Sequence, residues 1–117
     1  MCRLSQGRVV EIAITDPCGR NRKLRPAVVL TDTDQIPEDE DGEFVVAAIT
    51  TKFTIPLEPD WIRLPWSADG KAKSGLREPS VVKCRWLRKV TRKDIVSYRG
   101  WLPSTLMLEI MRVVRQD

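Results

Sequence analysis

The side chains with the clearest chemical potential lie at the ends of two apolar segments. Arg25 and Pro26 open one segment, and Thr50, Thr51 and Lys52 close another. Pro26 has no N–H group, so it predicts the first residue of a strand, and it biases Arg25 towards an extended backbone. A guanidinium held at the mouth of a strand presents a rigid fork of donors, which suits phosphate recognition. The two hydroxyls and the amine could hydrogen-bond a phosphate. Threonine is also simply a good strand residue, and an arginine before a strand is commonly a surface salt-bridge partner.

Histidine is absent from the 117 residues, and its absence limits the possible chemistry. Neither a Ser-His-Asp or Cys-His site nor a metal cage of histidines and carboxylates can be built. Cys2, Cys18 and Cys84 show no Cys-x-x-Cys spacing, and their odd number favours reduced thiols over a disulfide framework. No P-loop or dinucleotide-binding fingerprint is present. The sequence therefore predicts no metal and no cofactor.

Charge is strongly segregated along the chain, although the formal net charge is only +4. The acidic loop, residues 32–43, holds seven acids and no base, so the rest of the chain carries all 20 basic residues and 9 of the 16 acids. A basic body predicts a polyanionic ligand, but the same charges could simply line solvated strand faces. We expect the acidic loop to be solvated and to cover the basic groove or steer ligands around it.

Many short apolar segments separated by turns predict a small β-barrel closed by a terminal helix. Strands are predicted at 9–14, 27–31, 44–50, 55–57, 61–64 and 97–101, and residues 80–90 predict one long bent strand or two. Residues 91–94 resemble a capping box that opens a single helical turn. A longer helix is predicted at 104–115, with an apolar face formed by Leu106, Ile110, Val113 and Val114.

The length and the hydropathy of the chain limit its class. The 117 residues suffice for one domain with a single core. No apolar run approaches the roughly 18 residues of a membrane span, and the first residues lack an apolar signal core. These features predict a cytoplasmic protein that does not enter membranes.

Taken in order, the segments resemble the MazF/PemK (Kid-like) toxins of type II toxin–antitoxin systems. The matching residues in the first half are Gly7-Arg8-Val9-Val10, Asp16-Pro17-x-Gly19, Arg25-Pro26-Ala27-Val28-Val29-Leu30-Thr31 and Val46-Ala47-Ala48-Ile49-Thr50. Those in the second half are Gly75-Leu76, Ser80-Val81-Val82, Arg88-Lys89-Val90 and Gly100-x-Leu102 before the last helix. The order of these segments over nearly the whole chain carries the resemblance, because no single motif is specific.

The resemblance implies a mainly β fold, namely an SH3-like small barrel (CcdB/MazF/PemK-like) with a C-terminal α-helix, in a single toxin domain of residues 1–117 that forms a homodimer. It implies a metal-independent endoribonuclease that cuts single-stranded RNA, usually mRNA, at short sequences. It also implies a cognate antitoxin whose flexible tail blocks the RNA groove. In the family the matching arginine and threonine act at the scissile phosphate, so Arg25 and Thr50 are the candidate catalytic residues. The candidate RNA-binding residues are Arg20, Arg22, Lys23, Thr51, Lys52, Arg85, Trp86 and Arg88.

The implied reaction suits the side chains that are present. RNA can be cut by its own 2′-hydroxyl, so a protein need only orient that oxygen and stabilise charge on the phosphorane. Arg25 could donate two hydrogen bonds and Thr50 another, but arginine is a poor general base. Many family members have an acid in the first loop and an acid–glutamine pair where this chain has Arg85-Trp86. The sequence therefore does not name the base, while Trp86 becomes the best candidate for stacking on a nucleobase.

Two other functions remain open at this stage. The same barrel could be a non-enzymatic binding module, either an RNA-binding remnant or a protein-directed toxin similar to gyrase poisons. It could also be a basic SH3-like adaptor without toxicity. Growth arrest without RNA decay would favour a protein target.

Overall fold

Six antiparallel strands form one sheet in a computed structural model that describes residues 4–115. The strands are β1 (Arg8–Ile14), β2 (Lys23–Val29), β3 (Phe44–Thr50), β4 (Trp61–Leu64), β5 (Ser80–Val90) and β6 (Ile95–Trp101). Single 3₁₀ turns lie at Thr33–Gln35 and Arg92–Asp94, and the helix α1 (Ser104–Arg115) follows β6. The order across the sheet is β4-β5-β3-β2-β1-β6. Cys2 lies outside the described residues.

The mainly β fold with a C-terminal helix is confirmed, but within residues 4–115 the sheet is not closed into a hydrogen-bonded barrel, because β4 and β6 are its two edges. The strands bend at irregularities in their pairing. The pairing of β5 with β3 jumps from Ala47↔Leu87 to Ile49↔Val82, which leaves extra residues on β5. Such a bulge bends a strand and increases its twist. Residues 80–90 are thus one bent strand rather than two.

The two faces of the sheet carry two separate apolar clusters. One cluster includes Val28 and Ile49 and is covered by α1 through Met107 and Ile110. The other cluster includes Trp86 and lies on the opposite face. Because alternate residues of a strand face opposite sides, β3 contributes to both clusters, as its continuous apolar sequence predicted.

The helix α1 has the predicted bounds and the predicted apolar face. Ile110 is fully buried, and Leu106, Val113 and Val114 are partly buried against the same cluster. The turn at Arg92–Asp94 is also confirmed, since the backbone N–H of Thr91 donates to the Asp94 carboxylate at 2.8 Å.

One predicted strand is absent from the structure, and another has different bounds, Lys23–Val29 instead of 27–31. Residues 55–57 form no strand, because Pro56 cannot donate to a ladder and Ile55 is 73% exposed, without the burial that a strand face requires. The second strand begins at Lys23 rather than at Ala27, so Pro26 lies inside β2 and not at its start. Pro26 is tolerated there because the β2–β3 pairing stops at Ala27↔Ala48, whereas the β1–β2 pairing continues to Lys23. From Lys23 to Pro26, β2 behaves as an edge strand on its β3 side.

Candidate functional site

A cavity of about 660 Å³ lies where β2 separates from β3, and we call it the basic cavity. Its walls come from the start of β2, the end of β3, the start of β5, the loop 65–79 and β6. The lining residues are Lys23, Leu24, Arg25, Pro26, Ile49, Thr50, Thr51, Lys52, Leu76, Arg77, Glu78, Ser80, Lys83, Trp86 and Arg99. Six of these described residues are basic and one is acidic, so the cavity favours an anionic ligand.

Arg25 and Thr50 meet in this cavity because of the strand register. The last paired residues of β2 and β3 are Ala27 and Ala48. Continuing that antiparallel register by two residues brings Arg25 level with Thr50, and alternation places both on the face that carries Trp86. The two predicted catalytic residues are therefore adjacent, although 24 residues of chain separate them.

The Arg25 side chain is half-buried and held from two sides. Its Nη1 donates to the carbonyl of Ile14 at 3.2 Å, and its Nη2 donates to the carbonyl of Asn21 at 3.3 Å. Its guanidinium carbon lies 4.9 Å from the centre of the Trp86 ring. These two hydrogen bonds use only two of the five N–H donors of a guanidinium. Arg25 is thus pre-positioned and still has donors for a ligand.

Asp16 organises the loop that holds Arg25. Its carboxylate accepts the backbone N–H groups of Cys18 at 3.0 Å and Arg20 at 2.8 Å, and the side-chain amide of Asn21 at 2.9 Å. The hydrogen bond from the Arg20 N–H, followed by that from Asn21, lowers the pKa of Asp16 below its ordinary value. Asn21 adopts a left-handed backbone with φ of 52°, which asparagine tolerates. The first loop therefore has an acid, but its carboxylate is occupied in shaping the loop.

Trp86 supports Arg25 from below. The residue is only 8% exposed, and its indole N–H donates to the carbonyl of Thr15 at 3.1 Å. One face of its ring is beneath the Arg25 guanidinium, in a cation–π arrangement. Sequence reasoning proposed Trp86 as a stacking platform for a base, whereas the structure gives it a position that orients Arg25.

The other predicted RNA contacts divide between two places. Lys23, Thr51 and Lys52 line the basic cavity. Arg20 and Arg85 are exposed and lie outside its lining. Arg22 and Arg88 line a separate cavity of about 150 Å³, and Arg88 donates to the backbone carbonyl of Asp16. These four arginines therefore do not share the cavity of Arg25.

Sequence reasoning missed four charged residues of the basic cavity, which are Arg77, Glu78, Lys83 and Arg99. They come from the loop 65–79, from β5 and from the edge strand β6. Gly100 was the available signal: an added Cβ would lie 1.8 Å from the carbonyl oxygen of Lys73. That close approach, together with the hydrogen bond from the Trp101 N–H to the same carbonyl at 2.8 Å, packs the loop against β6.

Arg99 is fixed by an acid on the neighbouring strand. Its Nη2 lies 3.3 Å from the Glu11 carboxylate, and its Nη1 donates to the carbonyl of Gly75 at 3.0 Å. The Ser97 hydroxyl also donates to Glu11, at 2.9 Å. Burial raises the pKa of Glu11, but the Ser97 and Arg99 interactions together outweigh it and lower the pKa overall. Glu11 is thus committed to holding Arg99 at the cavity.

The acidic loop lies at the opposite ends of β2 and β3 from the basic cavity. It follows the end of β2 and precedes the start of β3, whereas the cavity lies at the start of β2 and the end of β3. Arg92 and Lys93 hold it there: Arg92 donates to the carbonyl of Pro37 at 2.9 Å, and Lys93 pairs with Asp41. The expectation that this loop covers the basic groove is therefore wrong.

Three further observations concern the thiols, metal binding and the helix. Cys18 and Cys84 are free thiols, and burial raises the pKa of Cys84 to about 11, so this thiol resists ionisation. Among residues 4–115, no three histidine, cysteine or acidic residues group as a metal site would require. Within the same range, no helix is both long enough and apolar enough to cross a membrane.

Comparisons with known proteins agree with this architecture. An endoribonuclease in complex with its cognate antitoxin, from Mycobacterial species, shares 14% identity at a TM-score of 0.67, covering 95% of this chain and 90% of that one. The MazE-MazF crystal structure (Form-III) from Deinococcus radiodurans shares 16% sequence identity with this chain at a TM-score of 0.63. That match covers 97% of this chain and 94% of the other. The Mycobacterium tuberculosis toxin MazF-mt6 shares 22% sequence identity at a TM-score of 0.65, and the match covers 92% of each chain. These likenesses show the fold.

Sequence comparison identifies the family. The chain matches no curated protein significantly. The family model described as "PemK-like, MazF-like toxin of type II toxin-antitoxin system" matches residues 5–116, which is nearly the whole chain. The chain therefore belongs to the PemK-like, MazF-like toxin family of type II toxin–antitoxin systems.

Proposed function

We propose that this chain is an endoribonuclease toxin that cleaves single-stranded RNA, usually mRNA, at short sequences in the basic cavity. One observation carries the proposal: Arg25 is braced level with Thr50 in a cavity lined by six basic residues. A braced guanidinium beside a hydroxyl suits a phosphodiester that gains charge during reaction. The same activity is supported by a structural neighbour that is itself described as an endoribonuclease.

The reaction uses the 2′-hydroxyl of RNA as the nucleophile. Its oxygen forms a bond to the adjacent phosphorus, the bond from phosphorus to the 5′-oxygen breaks, and the products are a cyclic phosphate and a 5′-hydroxyl end. Arg25 donates hydrogen bonds to the non-bridging oxygens as their charge increases, and Thr50 donates another. Since the nucleophile belongs to the substrate, no metal-bound water is required. We therefore propose cleavage without metal or cofactor.

The lysines around the phosphate site position the rest of the RNA. Lys23 and Lys52 lie at the rim of the cavity, where exposed ammonium groups can contact neighbouring phosphates. Arg20, Arg22, Arg85 and Arg88 lie outside this cavity and, in our proposal, contact flanking nucleotides. Their number on the surface predicts a strong dependence of binding on salt.

We also propose the assembly that accompanies this activity. One structural neighbour is a complex with a cognate antitoxin and another is a MazE-MazF pair, which supports a cognate antitoxin for this chain. An antitoxin with an acidic tail would complement the basic cavity and compete with RNA. We propose that residues 1–117 act as one domain in a cytoplasmic homodimer.

The test is incubation of the purified protein with a long single-stranded RNA in excess EDTA. We expect cleavage at short sequences with cyclic phosphate and 5′-hydroxyl ends, and no cleavage of the matched RNA that carries 2′-O-methyl groups throughout. Intact RNA, or cleavage of the 2′-O-methyl control, would contradict the proposal. Growth arrest on expression with intact cellular RNA would instead favour a protein target.

A further inference from the structure

The proposed reaction needs a group that accepts the proton of the 2′-hydroxyl, and the basic cavity contains one candidate. Of the described residues that line the cavity, Glu78 is the one carboxylate, against six basic residues. No tyrosine and no cysteine is among those lining residues. The lysines and arginines of the wall serve as donors rather than acceptors. We propose that Glu78 is the general base that activates the 2′-hydroxyl, an inference that rests on the endoribonuclease function proposed above.

Other acids near the cavity are already engaged. Asp16 accepts three hydrogen bonds within the first loop, and Glu11 is bound by Ser97 and Arg99. Neither of these acids lines the cavity. In contrast, Glu78 has an exposed side chain with no ion pair or side-chain hydrogen bond to the residues of the 4–115 range. Its carboxylate is therefore available to a ligand.

Glu78 lies in the same cavity as Arg25 and Thr50. Thr50 pairs with Val81 at the start of β5, and Arg25 is level with Thr50 on the other side. Glu78 precedes Val81 by three residues and lies at a bend just before β5. A phosphodiester bound in this cavity shares it with all three side chains.

Two neighbouring residues restrain the backbone at Glu78. Pro79 restricts Glu78 to an extended conformation. The hydroxyl of Ser80, a buried residue, donates to the backbone carbonyl of Glu78 at 2.8 Å. Ser80 also pairs with Leu64 of β4. A side chain on a fixed backbone loses less freedom when it meets the substrate, as effective positioning requires.

The proposed step balances without a further reactant. The Glu78 carboxylate takes the proton from the 2′-hydroxyl as the 2′-oxygen bonds to phosphorus. The electron pair of the breaking bond moves to the 5′-oxygen, which takes a proton from water. Glu78 then gives its proton to the hydroxide left by that water, so the enzyme is unchanged after each turnover.

The test compares Glu78→Gln with Glu78→Asp and with Glu40→Gln, which removes the same charge in the acidic loop. Cleavage rate on single-stranded RNA is measured beside the affinity for uncleavable 2′-O-methyl RNA. We expect Glu78→Gln to slow cleavage by about 10²–10⁴, the usual contribution of a general base, while its affinity for RNA is unchanged or higher. Glu78→Asp should keep part of the rate, and Glu40→Gln should match the wild type.

A second readout separates a base from a residue that only shapes the site. With a sulfur in place of the bridging 5′-oxygen, departure of the leaving group becomes easy, yet the 2′-hydroxyl still needs a base. We expect Glu78→Gln to remain slow on this substrate, and full rescue would assign Glu78 to the leaving group and overturn the proposal. If Glu78→Gln cleaves ordinary RNA at the wild-type rate, the role of Glu78 as the base is also overturned. In that case the activity of the wild-type protein still supports the endoribonuclease function. An inactive wild type would overturn both.

Discussion

The two ends of β2 and β3 differ in charge and in what their charges do. At one end, six basic residues line a cavity, and Arg25 is braced by the carbonyls of Ile14 and Asn21. At the other end, the acidic loop is largely exposed to solvent. It forms an ion pair between Asp41 and Lys93, and both of these side chains are exposed. The guanidinium groups of Arg25 and Arg99 at the cavity end are held in place by hydrogen bonds, whereas most acids at the loop end are exposed. We therefore expect supported charge, rather than charge density, to mark the functional end.

The distance between these ends also limits their influence on each other. β3 has seven residues, which corresponds to about 20 Å. The Debye length at physiological salt is about 8 Å, so the acids at one end are largely screened from a ligand at the other. The charge segregation in the sequence thus describes two separate regions rather than a groove and its cover.

The largest expected effect is the loss of Arg25 from the cavity end. Arg25→Ala should lower the RNA cleavage rate by about 10²–10³, the usual result of removing one donor to a developing negative charge. Lys93→Ala at the loop end is the matched control, and it should cleave at the wild-type rate. Equal losses in the two variants would show that only overall charge matters and would remove the distinction between the two ends.

The next effect concerns the support beneath Arg25. Trp86→Phe keeps an aromatic ring under the guanidinium but removes the N–H that bonds the Thr15 carbonyl. We expect the free energy of unfolding to fall by more than the roughly 1 kcal/mol of a neutral hydrogen bond, because the smaller ring also leaves a cavity, while cleavage is largely kept. Denaturant unfolding and cleavage assays would measure both quantities. A large loss of activity with unchanged stability would instead point to direct contact between Trp86 and the RNA.

A smaller effect should appear in the salt dependence of RNA binding. Lys52→Ala at the cavity rim should reduce the slope of log K against log salt by about 0.7, the value for one phosphate contact in a single strand. Replacing the acids of residues 38–41 with the corresponding amides should leave that slope unchanged, because they lie at the far end. If the amide variant binds RNA more tightly at low salt, the acidic loop does compete with phosphate.

The smallest effect is the titration of Asp16, which lies at the surface. Its pKa is lowered below its ordinary value by the hydrogen bonds from the Arg20 N–H and from Asn21. Because the pKa of Asp16 is lower in the folded state than in the unfolded chain, the ionised carboxylate stabilises the folded loop at pH values above the unfolded pKa. This stabilisation is lost as the pH falls through the folded pKa. NMR titration should give a midpoint below that of an aspartate in an unfolded peptide, and Asn21→Ala should raise it. A midpoint at or above the ordinary value would show that the loop is not held by this carboxylate.

The sequence predicted the elements of this fold better than their arrangement. Its apolar runs predicted β3 and α1 with the observed bounds, because both bury a continuous apolar pattern. The strand predicted at residues 55–57 was wrong because two prolines nearby remove donors, and the start of β2 was misplaced because Pro26 sits beside a ladder that has already ended. The barrel-like bending arises from bulges, which leave no periodic signal in the sequence.

The candidate site was predictable only where neighbouring strands carry it. Arg25 and Thr50 could be proposed together because the family resemblance pairs them, and the structure agrees since each lies at the end of an apolar segment on adjacent antiparallel strands. Glu78 and Arg99 could not be predicted as residues of this site. They reach the cavity because the loop 65–79 packs closely against β6 at Gly100. That contact depends on tertiary structure, which local patterns do not encode.

A crystal structure of the protein with a short RNA blocked by a 2′-O-methyl group at the cleavage position tests the central claim most directly. We predict that the phosphate next to this group lies in the basic cavity, with a non-bridging oxygen about 3 Å from the Arg25 guanidinium and another close to the Thr50 hydroxyl. The 2′-oxygen should face Glu78. RNA bound along Arg85 and Arg88 on the outer surface, with the cavity empty of phosphate, would contradict the account.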